Sequence, residues 1–537
     1  MRLIRMRCRT DPELFARIFF PHHCRLPFSS MHRDFFRSHK NHINGDLLSR
    51  AGYNEAVAAP RGFAKSTIKS LILPIHALLY QTERYIVIIS ATLKQAKLRL
   101  KNIKNELLTN DLLKKYYDIS IPSGLKKAWT QQSITVNDVQ IEAYSGGTEI
   151  RGISFREFRP SRIILDDAED SSLVESAEGR SRLLEWFNEV IENLGDSYTI
   201  LEVIGTLLHP ESLLATLLLR PDFQGKVYRA VLEFAEDAIL WEKWRTLFSD
   251  LTDEKRQDTA REFFQKNRAA MLKGSKVLWS AKEDYYSLMT QLFTRGRHAF
   301  FQEKQNDPRA AEHRMFSRNA FRYFTLEGDR LLVDQPGCEP RIIPLSSLKI
   351  CGFLDAALGR KKSRGSEGDF AAIATAGRDP SGYLYVLDVW LQRMPPTKQI
   401  ARIFDLHSRF HYFSFGIESN CFQSLLLLPL EEERKRRQAS GAAWDVPVVE
   451  MNHRERKEAR LLTLEPLVAN GWVLFNRALP EEFFRQMEDV PNGRHDDGPD
   501  ALEAAVSLSK TLASSLNGKN ALPPSPPRAL KKPLSFY

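Results

Sequence analysis

Cysteine is scarce in this chain. Five thiols occur in 537 residues, at Cys8, Cys24, Cys338, Cys351 and Cys421, with no CxxC pair and no regular spacing. An odd, sparse count excludes a disulfide framework and fits reduced thiols. Long apolar runs are missing too. The longest, Ser70–Tyr80, is interrupted by Pro74 and His76 and falls far short of the ~20 residues a membrane span needs. The N-terminal stretch MRLIRMRCRTDPELF has charge but no apolar h-region, so no signal peptide is expected. No internal repeat is visible. These absences predict a soluble, cytoplasmic protein with no membrane partner.

What is present is ordinary in bulk and unusual in charge. Hydrophobic residues make up 43% and charged residues 27%, which permits a core of normal size. The length predicts roughly two to four domains. The formal charge of +10 and the pI near 9.2 suit contact with a polyanion.

From Ala56 onward, short apolar runs alternate with helical periods. Ala56–Ala59, Tyr85–Ser90, Arg162–Asp166 and Thr199–Gly205 read as strands, and Ile134–Val136 with Gln140–Tyr144 as a hairpin. Lys65–Tyr80 and Lys94–Leu113 read as helices. Continuous β-branched runs between helices predict a parallel sheet buried on both faces. Residues 232–315 change to a helical, Trp- and Phe-rich character that ends in Phe300–Pro308. After Leu348 a new series begins. Ile350–Leu354, Phe370–Thr375, Tyr383–Trp390 and Phe413–Glu418 are strand candidates, with Asp379–Gly382 as the turn between the second and third. Gln399–Phe410 and Pro499–Leu512 are helix candidates.

The segment Ala59-Pro-Arg-Gly-Phe-Ala-Lys-Ser66 follows the first strand and precedes a helix. Its spacing matches a phosphate-binding loop, although Ala59 and Ala64 replace both signature glycines. Backbone N–H groups at the helix start would cradle phosphates, and Lys65 would reach the β/γ oxygens. Ser66 would hold Mg²⁺, and Arg61 supplies a second cation. On this pattern alone a basic turn before an amphipathic helix is an equal reading. Asp166-Asp167-Ala-Glu169 at the end of a buried strand tips the balance, because ligands of open α/β sheets sit there. Asp166 is expected on Mg²⁺, and Asp167 or Glu169 beside the attacking water. Thr206, after the next strand, would sense the γ-phosphate. Arg61, Gly62, Ala64, Lys65, Ser66, Thr67 and Thr206 are thus expected around ATP.

A second acidic set lies far along the chain. Asp355 and Glu418 each end a strand candidate, and Asp496, Asp497 and Asp500 open the last helix. Two-metal nucleases need carboxylates converging from separate elements on ions ~4 Å apart. Helix capping is the bland reading of the last three acids, since Pro499 fits the first helical turn. Strand–acid, strand–acid, helix–acid in this order is the RNase H-like arrangement. Asp355, Glu418, Asp497 and Asp500 are therefore expected on two Mg²⁺ or Mn²⁺ ions, with Asp497 favoured among the helix acids. Asp369 is a weaker fourth candidate. Lys457 is expected on a solvated helix face rather than on a phosphate.

With these residues in order, the chain resembles the large terminase subunit of tailed bacteriophages. The matching stretches are Pro60–Thr67, Ile150–Ile153, Leu165–Asp167, Gly205-Thr206, Phe300–Pro308, Asp355, Ile417–Asn420, Lys457 with Arg460, and His495–Asp497. They span about residues 30–505. The resemblance implies an ATPase that translocates double-stranded DNA into a procapsid and an RNase H-like endonuclease that cuts concatemers. It also implies a portal protein, a small terminase subunit, a pentameric ring, and work in the host cytoplasm and transiently on the procapsid. The family has Asp-Glu where this chain has Asp166-Asp167, which leaves the ATPase carboxylate open between Asp167 and Glu169. Arg151, Arg180 and Arg182 are candidates for a trans-acting arginine. The alternative is a helicase- or repair-type ATPase fused to such a nuclease, but it needs a second motor domain and only one phosphate loop is present. The expected organisation is an N-terminal segment (1–45), a P-loop ATPase domain (46–231) and a helical accessory segment (232–344). An RNase H-like domain (345–514) and a disordered Pro- and Lys-containing tail (515–537) follow.

Overall fold

The computed structural model describes residues 1–43, 46–119, 129–308, 315–334, 339–356, 371–419, 426–441, 445–453, 455–490, 493 and 495–517. Asp369 and residues 518–537 of the expected tail lie outside these. The chain forms two compact units. One comprises Met1–Trp244 with Arg261–His313, the other Arg245–Ala260 with Arg314–Tyr537.

The first unit is an α/β layer. Its strands are β1 (Tyr53–Ala58), β2 (Tyr85–Ser90), β3 (Ser133–Val136), β4 (Val139–Ser145), β5 (Arg162–Asp166), β6 (Ile200–Gly205) and β7 (Gln224–Val227). They lie in the order β3-β4-β2-β5-β6-β1-β7. Every pairing is parallel except the hairpin β3–β4. β2 and β6 are buried along their whole length, as apolar, β-branched runs in a sheet covered on both faces should be. The order sets β6 between the loop-bearing β1 and the acid-bearing β5, so the ends of three adjacent strands face one edge.

Residues 65–80 are helical as expected, but a π turn occupies Ile68–Ile72. It sits immediately before Pro74, whose ring would clash with the carbonyl of an ordinary turn. The π turn also buries Lys69 completely. Glu55 and Glu202 are register partners on β1 and β6, so two carboxylates face each other under the helix. Lys69 Nζ donates to both, at 2.5 and 2.6 Å. Arg162 on β5 extends the network to Glu202 and Glu83, and Arg50 binds Glu83 with two hydrogen bonds. Burial opposes ionisation of Glu55, but Lys69 and Lys226 outweigh it and hold its carboxyl down at about 2.

The expected boundaries shift at both ends of this unit. The N-terminal segment is three helices, Arg2–Thr10, Pro12–Phe19 and Ser30–His42. It is no separate piece, because Phe15 packs on His76 and Tyr80, and His76 bonds the Cys8 carbonyl at 2.9 Å. The accessory segment 232–344 is divided between the units. Its part up to His313 belongs mostly with the first, along with the ribbon β8 (Val231–Glu233) and β9 (Lys276–Val277).

Among the described residues the second unit is built on nine strands. They are β10 (Arg322–Glu327), β11 (Arg330–Val333), β12 (Arg341–Pro344), β13 (Lys349–Asp355), β14 (Ala371–Arg378), β15 (Leu384–Gln392), β16 (Ser414–Glu418), β17 (Val448–Met451) and β18 (Val473–Asn476). Their order is β12-β11-β10-β18-β15-β14-β13-β16-β17. The antiparallel meander β13–β14–β15, followed by β16 and β17 parallel to β13, is the RNase H-like order. β10 to β12, expected as accessory segment, instead extend this sheet through β18. The helix Asp497–Asn517 packs on β13 and β14, with Ala501, Leu502, Ala504 and Ala505 fully buried.

Lys69→Met leaves Glu55 and Glu202 buried without their shared cation. Breaking such a pair costs about 3–5 kcal/mol, so chemical denaturation of the variant should show a loss of that size. Adding Glu55→Gln and Glu202→Gln should restore part of it. A Lys69→Met protein as stable as the wild type contradicts this account.

Candidate functional sites

In the first unit the phosphate loop hangs between β1 and β6. The Ala59 N–H donates to the Gly205 carbonyl at 2.9 Å. Gly62 has φ +85 and Ala64 φ +58. Glycine accepts that region freely, whereas alanine meets a steric cost there. Ala64 therefore adopts the glycine conformation expected of its position in the motif, and the replacement changes strain rather than shape. The helix begins at Lys65.

The expected residues converge. Lys65 is buried, and its Nζ lies 3.1 Å from Thr206 Oγ1 and 3.2 Å from Asp167 Oδ1. Ser66 Oγ donates to Asp166 Oδ1 at 2.7 Å. Asp166 is fully buried, and burial raises its carboxyl above the ordinary range. Asp167 holds a left-handed conformation, φ +49, a strain typical of functional positions. Glu169 is differently employed. Its two carboxylate oxygens accept the Leu213 and Leu214 N–H groups at 2.6 and 3.0 Å, capping the helix Leu213–Leu219. Of the two carboxylates left open by the sequence, Asp167 is the one beside Lys65. Ser66 and Asp166 offer an oxygen donor set that fits Mg²⁺.

A cavity of about 650 Å³ opens on this loop, lined by Lys65, Ser66 and Thr67 below and by Phe28, His32 and Trp279 above. Sequence reading missed this upper wall. His32 Nδ1 accepts the Ser29 N–H, so its Nε2 proton donates to the Phe63 carbonyl at 2.8 Å and props the loop. Burial lowers its pKa, which keeps the ring neutral. Arg99 was also missed. From the helix Leu93–Thr109 its Nε comes within 2.8 Å of Asp166 Oδ2. An arginine inside a regular basic helix carries no signal of that contact.

The segment Phe300–Pro308, expected within the accessory stretch and among the stretches that carry the resemblance, contacts both the phosphate loop and the residue after Thr206. The Glu303 carbonyl accepts the Arg61 N–H, and Lys304 Nζ donates to the Arg61 carbonyl and to Glu283. The Asn306 carboxamide accepts the Leu207 N–H at 3.0 Å. The Arg61 side chain pairs with Glu303 and is 62% exposed.

In the second unit the acids gather at one sheet edge. Asp355 and Glu418 end the neighbouring parallel strands β13 and β16, one position beyond the rung Leu354–Ile417. Asp497 and Asp500 lie in the first turn of the last helix. Burial, then the charges of Asp500, Asp497 and Glu418, push Asp355 up to about 7, with Lys457 opposing. Four carboxylates close enough to act on one another form an oxygen-rich set suited to divalent cations. Lys457 corrects the sequence reading. It is no solvated face residue, because its Nζ lies 2.8 Å from Asp496 and 3.3 Å from Asp500. Burial disfavours its charge, but Asp500, Asp496 and Asp355 outweigh that and raise its pKa. Arg460 binds Asp500 and Glu503.

No family model and no curated protein matches the chain. Solved structures similar to it include the large terminase of bacteriophage HK97, at 15% identity and TM-score 0.31, covering 90% of this chain and 95% of that one. The large terminase of a thermophilic bacteriophage in complex with ADP is similar at 9% identity and TM-score 0.43, covering 90% and 99%. The Mn-soaked, inhibitor-bound human cytomegalovirus terminase nuclease domain is similar at 15% identity and TM-score 0.24, covering 32% and 88%. The fold and the chemistry of the two sites rest on strand order and side-chain geometry.

Ala64→Gly relieves the left-handed alanine and should raise stability in thermal denaturation by up to about 1 kcal/mol; a loss would show that the methyl group packs usefully. For Asp355, the fold favours the protonated form, so its contribution to stability is fully present below its ordinary value of 3.8 and is lost as pH rises towards about 7. In metal-free protein, the melting-temperature gain from Asp355→Asn should grow over that window and then level. A gain independent of pH would contradict the assignment.

Proposed function

We propose that this chain is a large terminase subunit of a tailed bacteriophage, an ATP-driven motor for double-stranded DNA joined to a metal-dependent endonuclease. The observation that carries the reading is the pairing of two sites in one chain. Lys65 and Ser66 meet Asp167 and Asp166 in one unit, and Asp355, Glu418, Asp497 and Asp500 gather in the other.

In the ATPase, the N–H groups of the loop and Lys65 hold the phosphates, and Ser66 and Asp166 are the Mg²⁺ ligands. Bound Mg²⁺ would neutralise charge developing on the transferred phosphoryl. Asp167 orients and polarises the attacking water. Lys65 already contacts Thr206 and Asp167, so a γ-phosphate taking up Lys65 would reset both. Leu207, the next residue, is tied to Asn306, which gives that change a route into the Phe300–Pro308 segment.

In the nuclease, Asp355, Glu418 and Asp497 are the principal ligands of two Mg²⁺ or Mn²⁺ ions, which would activate water and stabilise the leaving oxygen. Asp500 is shared with Arg460 and Lys457. Lys457 balances the acids and is poised for a backbone phosphate.

The +10 charge supports a polyanionic duplex as substrate. Portal protein, small terminase subunit and a pentameric ring on the procapsid, within the host cytoplasm, complete the proposal. The test is ATP-dependent protection of duplex DNA from added nuclease, using procapsids that carry a portal. Protection with the wild-type chain, lost with Asp167→Asn, is expected. ATP turnover that separates a forked duplex without protecting DNA would favour the helicase-type alternative.

A further inference from the structure

A third set of metal-ligating groups lies apart from both sites. His22 and His23 sit in the turn after the helix Pro12–Phe19, and Glu106 lies on the helix Leu93–Thr109. Both imidazole Nε2 atoms approach one carboxylate oxygen, Glu106 Oε1, at 2.9 and 3.0 Å. The three atoms lie within 4.8 Å of one another. We propose that His22, His23 and Glu106 form a site for a zinc-class divalent cation, with water completing its coordination.

The ligand chemistry selects the ion. Two neutral imidazoles and one carboxylate suit Zn²⁺, Co²⁺ or Ni²⁺ rather than Mg²⁺, which takes oxygen ligands. Ligand bonds of about 2.0–2.2 Å place tetrahedral ligand atoms ~3.4 Å apart. The two Nε2–Oε1 separations are a few tenths of an ångström shorter, so a small shift of Glu106 admits the ion once each neutral imidazole carries its proton on Nδ1 in place of Nε2. Each imidazole then binds through its deprotonated Nε2.

The surroundings hold the ligands in place. The His23 and Cys24 N–H groups both donate to the Phe20 carbonyl, closing the turn. Asn110 Nδ2 donates to Glu106 Oε2 at 2.9 Å and to the Phe19 carbonyl at 2.7 Å. One side chain thus orients the carboxylate and ties the helix to the turn, the part an outer-shell group plays at metal centres.

The position has a consequence for the first unit. His23 and Cys24 line the nucleotide cavity, and the helix that carries Glu106 also carries Arg99, which reaches Asp166. A cation here clamps one cavity wall to the helix that touches the Mg²⁺-ligand candidate. The site stands whether or not the chain is a packaging motor, since it rests on the geometry of these three residues alone.

Zinc titration of the full chain tests it. The protein should carry Asp355→Asn and Asp497→Asn, so that the carboxylate cluster does not compete, and should be free of nucleotide. One equivalent of Zn²⁺ should bind, and Co²⁺ in its place should give the visible absorption of a nitrogen-ligated, low-coordinate ion. His22→Ala or His23→Ala should weaken zinc binding at least tenfold, and Asn110→Ala by ~10–100-fold. Glu106→Gln, nearly isosteric, provides the same test if an alanine variant is poorly folded. The proposal is overturned if no zinc binds, or if one equivalent binds with unchanged affinity after His22→Ala, His23→Ala and Glu106→Gln together.

Discussion

Carboxylates collected at the C-terminal ends of adjacent parallel strands govern both units. Such groups repel one another and lose hydration when buried, so each is offset by a nearby cation or, as at Asp355, by a retained proton. Asp166 has Arg99, Asp167 has Lys65, and Asp496 and Asp500 have Lys457. Beneath the phosphate loop, Glu55 and Glu202 share Lys69. The cations differ in what they do next. Lys69 is fully enclosed and structural. Lys65, Arg99 and Lys457 border sites where phosphates or metal ions would compete for the same oxygens, so ligand binding exchanges one ionic partner for another.

That exchange gives the first unit a means of transmission. Lys65 touches Thr206 and Asp167 at once. The neighbouring Leu207 and the loop residue Arg61 are both held by the segment around Glu303, Lys304 and Asn306. A change at the phosphate loop therefore reaches this segment through hydrogen bonds rather than through the general packing of the core.

Much of this was legible in the sequence, and the parts that were not share a cause. β2, β5 and the β14–β15 hairpin are continuous apolar runs with clear turns, and local patterning suffices for them. Lys65, Ser66, Asp166, Asp355 and Glu418 follow strands, so their position along the chain points to the sheet edge. β10 to β12 were hidden because Arg322–Pro344 alternates charge and apolar residues on an edge, where one face is solvated. Lys457 was misjudged because a lysine on a short helix looks solvated until Asp496 and Asp500, some forty residues on, are brought against it. His32, Arg99 and Trp279 escaped for the same reason: each acts on the nucleotide cavity or its acids from an element distant in sequence, and no local motif records that contact. Glu169 shows the reverse case, an acid in a motif that is spent on capping a helix.

The central claim is that one chain holds two independent phosphate chemistries. The most direct measurement compares ATP turnover and Mn²⁺-dependent nicking of plasmid DNA in Lys65→Ala and Asp355→Ala proteins. Lys65→Ala should abolish turnover and spare nicking, and Asp355→Ala should abolish nicking and spare turnover. Retention of the targeted activity in either variant would contradict the claim.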